Sequence, residues 1–193
     1  MPFRSKRFSG RNATALTAGG ILLGALGSRL LPPLVGMVTG RVRTRMGHDP
    51  FELLKQDHRS IREALNSMDA LGENSSVARR AARLLQVKRL LSKHATAEED
   101  VVYPILHDQA GAKNEAMRLY SEHAEMKMHL YHLEASLKSG SGWTEHVRQL
   151  RDLINKHVEE EEGKEFPRLR NMMDERKQRA LAGRIHREEA MVL

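Results

Sequence analysis

Two short stretches of the chain carry the same residue types in the same order. Lys93-His94 is followed by Glu98-Glu99, Tyr103-Pro104 and Leu106; Lys156-His157 is followed by Glu161-Glu162, Phe166-Pro167 and Leu169. Upstream of each stands an acidic residue joined to a histidine, Asp57-His58 before the first and Glu122-His123 before the second, at nearly equal separations. Half of the chain is therefore a doubled unit that supplies imidazole and carboxylate twice. On a helix, His94 and Glu98 are one turn apart on one face, and so are His157 and Glu161. Paired imidazole and carboxylate at that spacing is metal-ligand chemistry.

The elements that must position these groups are helices. From Asp49 onward four apolar stripes recur at helical spacing, separated by breakers. The spacing predicts helices over about 50–71, 77–107, 113–138 and 144–163. Ser76 is placed to cap the second, and Gly111 and Ser139-Gly140-Ser141-Gly142 are the later breaks. A charged helical stretch is expected over about 167–189. Pro104 and Pro167 are expected to kink a helix or to begin a new turn. No alternating pattern marks a strand, so the fold class is all-α.

The six residues fall inside the apolar stripes. His58 continues Leu54, Ile61, Leu65 and Met68; His94 and Glu98 continue Leu84, Val87 and Leu91. His123 lies among Leu119, Met126 and Leu130, and His157 and Glu161 continue Val147, Leu150 and Ile154. Burying six such groups without partners is costly. A metal ion supplies the counter-charge for the carboxylates and uses the imidazole nitrogens. Four His and two Glu are too many for one ion with an open position; they suit two ions bridged by the carboxylates. The chain has no cysteine, which excludes disulfides, thiolate zinc sites, iron–sulfur clusters and cysteine nucleophiles. Imidazole and carboxylate fit iron or manganese, with zinc an alternative.

Neighbouring groups are read more plainly. Glu99, Glu162, Asp57 and Glu122 adjoin the proposed ligands and either orient the imidazoles or are solvated. His48, His107, His129, His132, His146 and His186 are taken as surface residues. Tyr103 and Phe166 are expected to pack at the ends of the bundle.

The net charge of +7 belongs to one end of the chain. Residues 1–45 hold eight of the 32 Lys and Arg and no Asp or Glu, so the remainder is near neutral. That argues against a specific nucleic-acid-binding domain. Within this end, the uninterrupted apolar run from Ala13 to Ser28 falls short of the ~20 residues of a spanning helix. Arg29 and Pro32-Pro33 follow it. Three readings fit: a secretory signal, a membrane-associated hairpin in which basic flanks meet an anionic surface, or a tail that packs on a partner or on itself. The expected location is cytoplasmic, with membrane association through residues 1–45 as the variant.

The arrangement His58, His94-x-x-x-Glu98, His123, His157-x-x-x-Glu161 resembles the hemerythrin-like (HHE cation-binding) family, in its bacterial form, over roughly residues 49–170. It differs from the ferritin-like order Glu-x-x-His. The resemblance implies an up-down four-helix bundle over residues 48–172, between an N-terminal segment 1–47 and a charged C-terminal helical extension 173–193. The segments 1–47 and 173–193 lie outside the resemblance itself. It implies two iron ions held by His58, His94, His123 and His157, with Glu98 and Glu161 bridging or chelating. An open position on such a centre would bind O₂, NO or a related small molecule for storage, delivery or sensing. The alternatives are an enzyme that decomposes peroxide or reduces NO, and an iron-handling or metal-stabilised interaction protein. No flavin or nucleotide fingerprint stands in the chain to deliver electrons.

Overall fold

Helix starts fall where a side chain or a glycine can make them, as seen in the computed structural model, which describes residues 49–192. Asp49 accepts the Phe51 backbone N–H at 2.9 Å and Pro50 takes the first helical position, so α1 runs Pro50–Asp69. Ser76 accepts the Arg79 N–H and opens α2, Val77–Ala97. This helix continues through a wide π turn, Glu98–Val102, into α3, Tyr103–Asp108. After Gly111 comes α4, Lys113–Ser139. Gly140 (φ 79°) and Gly142 (φ 85°) make the reversal that a side chain would strain, and α5 spans Trp143–Glu160. A second π turn, Glu161–Glu165, leads into α6, Phe166–Asn171. Asp174 then accepts the Lys177 N–H at 2.8 Å and begins α7, Glu175–Glu189.

The bundle follows from who packs on whom. The long helices form a closed ring of neighbours, α1 on α2, α2 on α4, α4 on α5 and α5 on α1. Short connections make successive members antiparallel. The fold is all-α, and the described residues contain no strand. Helix α7 lies outside the ring, against α1, α2 and the first π turn.

Two boundaries differ from the sequence reading. The fourth helical path does not stop at Gly163; it runs past Pro167 to Asn171, because the π turn absorbs the proline. The C-terminal helix starts at Glu175, where Asp174 can cap it, and not at Pro167. The apolar N-terminal run lies outside the described residues. Among those described, no helix is long and apolar enough to cross a membrane.

The core is divided. One apolar cluster gathers Phe51, Leu54, Val101, Tyr103, Leu119, Phe166, Leu181 and Ile185. The other gathers Ile61, Leu65, Leu84, Leu91, Met126, Leu133, Trp143, Leu150 and Ile154. Along each helix a ligand candidate separates the two sets: His58 sits between Leu54 and Ile61, His123 between Leu119 and Met126. A polar layer thus crosses the bundle with apolar packing on both sides.

Candidate metal centre

The two prolines explain the two π turns, and the turns help to build the site. Pro104 has no N–H for the carbonyl four residues back, and its ring crowds that carbonyl; Pro167 repeats the problem. The widened turn answers it. The Tyr103 N–H bonds to the Glu98 carbonyl, and the Phe166 N–H to that of Glu161, five residues back in each case. Residue i+5 is thereby brought below residue i, so the aromatic follows its glutamate onto the inner face. Such bulges are frequent at functional sites.

All six sequence candidates are buried and meet. His58, Glu98 and Glu161 are 0% exposed, and His94, His123 and His157 at most 3%. His58, His94, Glu98 and Glu161 form one group of converging ligand atoms; Glu98, His123 and His157 form a second, so Glu98 belongs to both. His58 Nε2 lies 3.0 Å from His94 Nε2, and His123 Nε2 lies 3.2 Å from His157 Nε2. Two nitrogens each ~2.1 Å from one ion, at right angles, stand roughly 3 Å apart. The carboxylates complete each pair: Glu161 Oε2 is 3.2 Å from His58 Nε2 and 3.3 Å from His157 Nε2, and Glu98 Oε2 is 3.1 Å from His94 Nε2 and 3.5 Å from His123 Nε2. Glu98 Oε1 and Glu161 Oε2 are buried without a hydrogen-bond partner among the described residues. Orphaned carboxylate oxygens facing converged imidazole nitrogens are a donor set that a cation satisfies.

The electrostatics of the cluster show the same pairing of charges. Burial and the charge of Glu161 push the Glu98 carboxyl up, but His94 and His123 outweigh them and hold it at about 2. Burial also opposes ionisation of Glu161, and His157 and His58 drive it well below the usual carboxylate range. For His157, burial disfavours the cation, yet the charge of Glu161 close by and the hydrogen bond to Glu122 raise it to about 10. His58 and His123 are raised in the same way, by Glu161 and Glu98 respectively, against their burial. With these shifts the raised histidines balance the charge of the two buried carboxylates.

Outer carboxylates fix three of the four rings. His58 Nδ1 is 2.8 Å from Glu162 Oε1, His123 Nδ1 is 3.0 Å from Glu99 Oε1, and His157 Nδ1 is 2.9 Å from Glu122 Oε2. With a carboxylate as acceptor, Nδ1 carries the hydrogen and Nε2 is turned to the centre. Of the two alternatives left open by the sequence, orientation therefore holds for Glu99, Glu122 and Glu162. Asp57 does not follow: it bonds to Lys93, and His94 Nδ1 has no partner among the described residues. Replacing Glu99, Glu122 or Glu162 with glutamine is expected to lower metal affinity by about 10–100-fold each. Competition titration against a coloured chelator measures this, and unchanged affinity in all three would contradict the orienting role.

The structure adds a group that the sequence reading misplaced. Tyr103 is fully buried at the centre and not at the end of the bundle. Its O–H donates to Glu161 Oε1 at 2.8 Å and lies 3.1 Å from both Glu98 Oε2 and His123 Nε2. Burial and the two carboxylates hold its phenol well above the usual range. Phe166, its repeat counterpart, lacks the hydroxyl and stacks on His58, with ring centroids 5.8 Å apart. The aromatic five residues after each glutamate was the available signal. Tyr103→Phe is expected to destabilise the metal-free chain by about 1.5–3 kcal/mol through the lost bond to a charged carboxylate, with metal content unchanged. Urea unfolding and metal analysis read the two effects separately.

His186, taken from sequence as a surface residue, is also buried. A cavity of about 40 Å³ abuts the centre, lined by Leu91, Ala95, Met126 and Leu130, with His94 and His123 in its wall and Lys127 at its edge.

A helical bundle with a buried, mixed imidazole and carboxylate cluster defines a metal-binding protein. The comparisons agree. Residues 49–169 match the hemerythrin HHE cation binding domain, and the chain belongs to that family. It is 23% identical over 139 residues to an uncharacterized hemerythrin-like protein of Schizosaccharomyces pombe, covering 71% of this chain and 67% of that one. It is also 37% identical over 86 residues to a DNA nickase of Nostoc sp., covering 45% of this chain but only 24% of the nickase. No solved structure matches it.

Proposed function

We propose that the chain is a non-haem di-iron protein that binds O₂, NO or a related small ligand for storage, delivery or sensing. The observation that carries this reading is the joining of two ligand groups through Glu98 beside a small apolar cavity. His58 and His94 would hold one ion and His123 and His157 the other, with Glu98 and Glu161, each facing a nitrogen of both pairs, available to both. Iron would supply reversible or redox chemistry toward a diatomic ligand. The chain's own part is to exclude water, orient the imidazoles and admit only small molecules. About 40 Å³ suits a diatomic or one to two waters, and its aliphatic walls favour a weakly polar ligand. Donors of this type also accept manganese, and zinc less well.

The test uses full-length, iron-loaded, reduced protein. Exposure to NO or O₂ should give a saturable spectral change that reverses on removal of the ligand. Ala95→Phe, which would fill the cavity, should slow that change at least tenfold with iron content unaltered. Sustained oxygen release from added peroxide, without a reversible ligand spectrum, would replace binding by peroxide decomposition as the function.

A further inference from the structure

The C-terminal helix packs one face and leaves the opposite one charged. Leu181, Ala182 and Ile185 are buried against the bundle. Lys177, Ala180, Arg184 and Arg187 follow one another at helical spacing on the outside, with Arg176 beside them, and all five are exposed. Of the Lys and Arg residues on α7, only Arg179 has an ion-pair partner among the described residues, Glu175 at 3.0 Å. Glu189 is turned inward to Lys93, and Glu188 is half-buried at the edge of the face. Arg176, Lys177, Arg184 and Arg187 therefore stand together as unpaired positive charges on one helix surface.

Apolar ground lies next to these charges. A groove of about 500 Å³ is lined by Ile105, Met172, Met173 and Leu181 together with Lys177 and Arg184. A second, of about 710 Å³, is lined by Leu85, Leu90 and Val192 together with Lys88 and Arg89. The first opens where α7 meets α3, and the second where the end of the chain meets α2. Met172 is 43% exposed, Leu85 50% and Met191 59%. The sequence ahead of Asp49 joins the bundle beside the first groove, because Asp49 pairs with Arg170, two residues before Met172. That sequence holds the same two ingredients: the apolar run Ala13 to Ser28, and eight basic residues with no acid in residues 1–45.

We propose that this outer face of α7, with the two grooves beside it, docks the protein on an anionic lipid surface. Acidic headgroups attract the bases within about a Debye length. Lys and Arg keep their charge at the headgroups while their stems, and the methionines, reach the acyl boundary. The interleaved apolar side chains decide between anionic partners. A nucleic acid rewards the charges along its phosphates, whereas a lipid surface rewards the charges and the apolar groups together. One weak signal holds a protein to a membrane only marginally, and two hold it stably. The α7 face is one, and the apolar and basic sequence ahead of Asp49 supplies the other at the same corner. Helix α7 lies beyond residue 169, where the family match ends. The charged face is therefore a property of this chain's C-terminal extension and not of the bundle.

Co-sedimentation of full-length, iron-loaded protein with lipid vesicles tests this. The wild type should bind vesicles of phosphatidylcholine with one-third phosphatidylserine at least tenfold more tightly than vesicles of phosphatidylcholine alone. Arg184→Glu combined with Arg187→Glu should weaken binding to the anionic vesicles at least tenfold. Lys138→Glu combined with Arg148→Glu makes the same change of charge at exposed sites on α4 and α5, and should leave binding within about threefold. Met172→Asp should also weaken vesicle binding, and it keeps the test decisive should the charge reversals loosen α7. Equal vesicle binding by the wild type and the α7 variant, with equal iron and helix content, would overturn the face. So would tight binding to a short DNA duplex that Met172→Asp leaves intact, without vesicle binding, which would make the partner a nucleic acid. A wild-type dimer that the α7 variant splits, again without vesicle binding, would make it a second copy of the chain.

Discussion

Replacing Glu98 with alanine is expected to strip both metal ions from the chain, whereas His157→Ala is expected to strip one. The difference follows from membership: Glu98 belongs to both groups of ligand atoms and His157 only to the second. Loss of Glu98 also removes the carboxylate oxygen that faces the Nε2 atoms of both His94 and His123. The affinity loss should exceed the roughly 100-fold upper range for carboxylates that merely orient a ligand. Metal analysis of the purified variants reads the outcome. Retention of one ion in Glu98→Ala, or equal losses in the two variants, would break the claim that Glu98 joins the sites.

Metal binding should release protons and strengthen steeply with pH. His157 is raised to about 10 in the metal-free chain, so at neutral pH it carries a proton that an ion must displace from Nε2. Affinity then rises by about tenfold per pH unit for each proton released, and the rise continues until the pH passes 10. Calorimetry in two buffers of different ionisation enthalpy counts those protons; a count of zero would mean that the imidazoles are neutral before metal arrives. The same shifts set the stability of the metal-free chain. A raised histidine stabilises fully below its ordinary 6.5, and that contribution fades as pH climbs through about 10. A lowered carboxylate such as Glu98 stabilises above its ordinary 4.5, and that contribution is lost as pH falls through about 2. Metal-free protein should therefore be most stable between about 4.5 and 6.5. Removing the metal should shift the optimum toward acid, which urea midpoints across pH would show.

The ligand candidates were legible because they sit in phase with the apolar stripes and occur twice. Helical period places His58 in line with Leu54 and Ile61, and the repeat tells a buried set from scattered surface histidines. Tyr103 was not legible in the same way. At 3.6 residues per turn it falls off the face of Glu98, and only the wider π turn beside Pro104 brings its hydroxyl inward. By sequence a proline marks a break, and the π turn before Pro167 instead carries the fourth helical path on to Asn171 and leaves α7 to start at Glu175. The partner choices of Asp57 and Glu122 are also beyond a pattern. Both precede a candidate ligand histidine, but Glu122 bonds to His157 while Asp57 is drawn to Lys93 and lies beside Glu189. Only the docking of α7, whose face is set by tertiary packing, separates the two cases.

Metal content per chain, measured on anaerobically purified full-length protein after iron reconstitution, tests the central claim most directly. The proposed di-iron reading predicts two irons per chain, with new near-ultraviolet absorption on admission of air. A chain that remains free of metal would contradict it, and the six converging residues would then be a proton-sharing polar layer in the core.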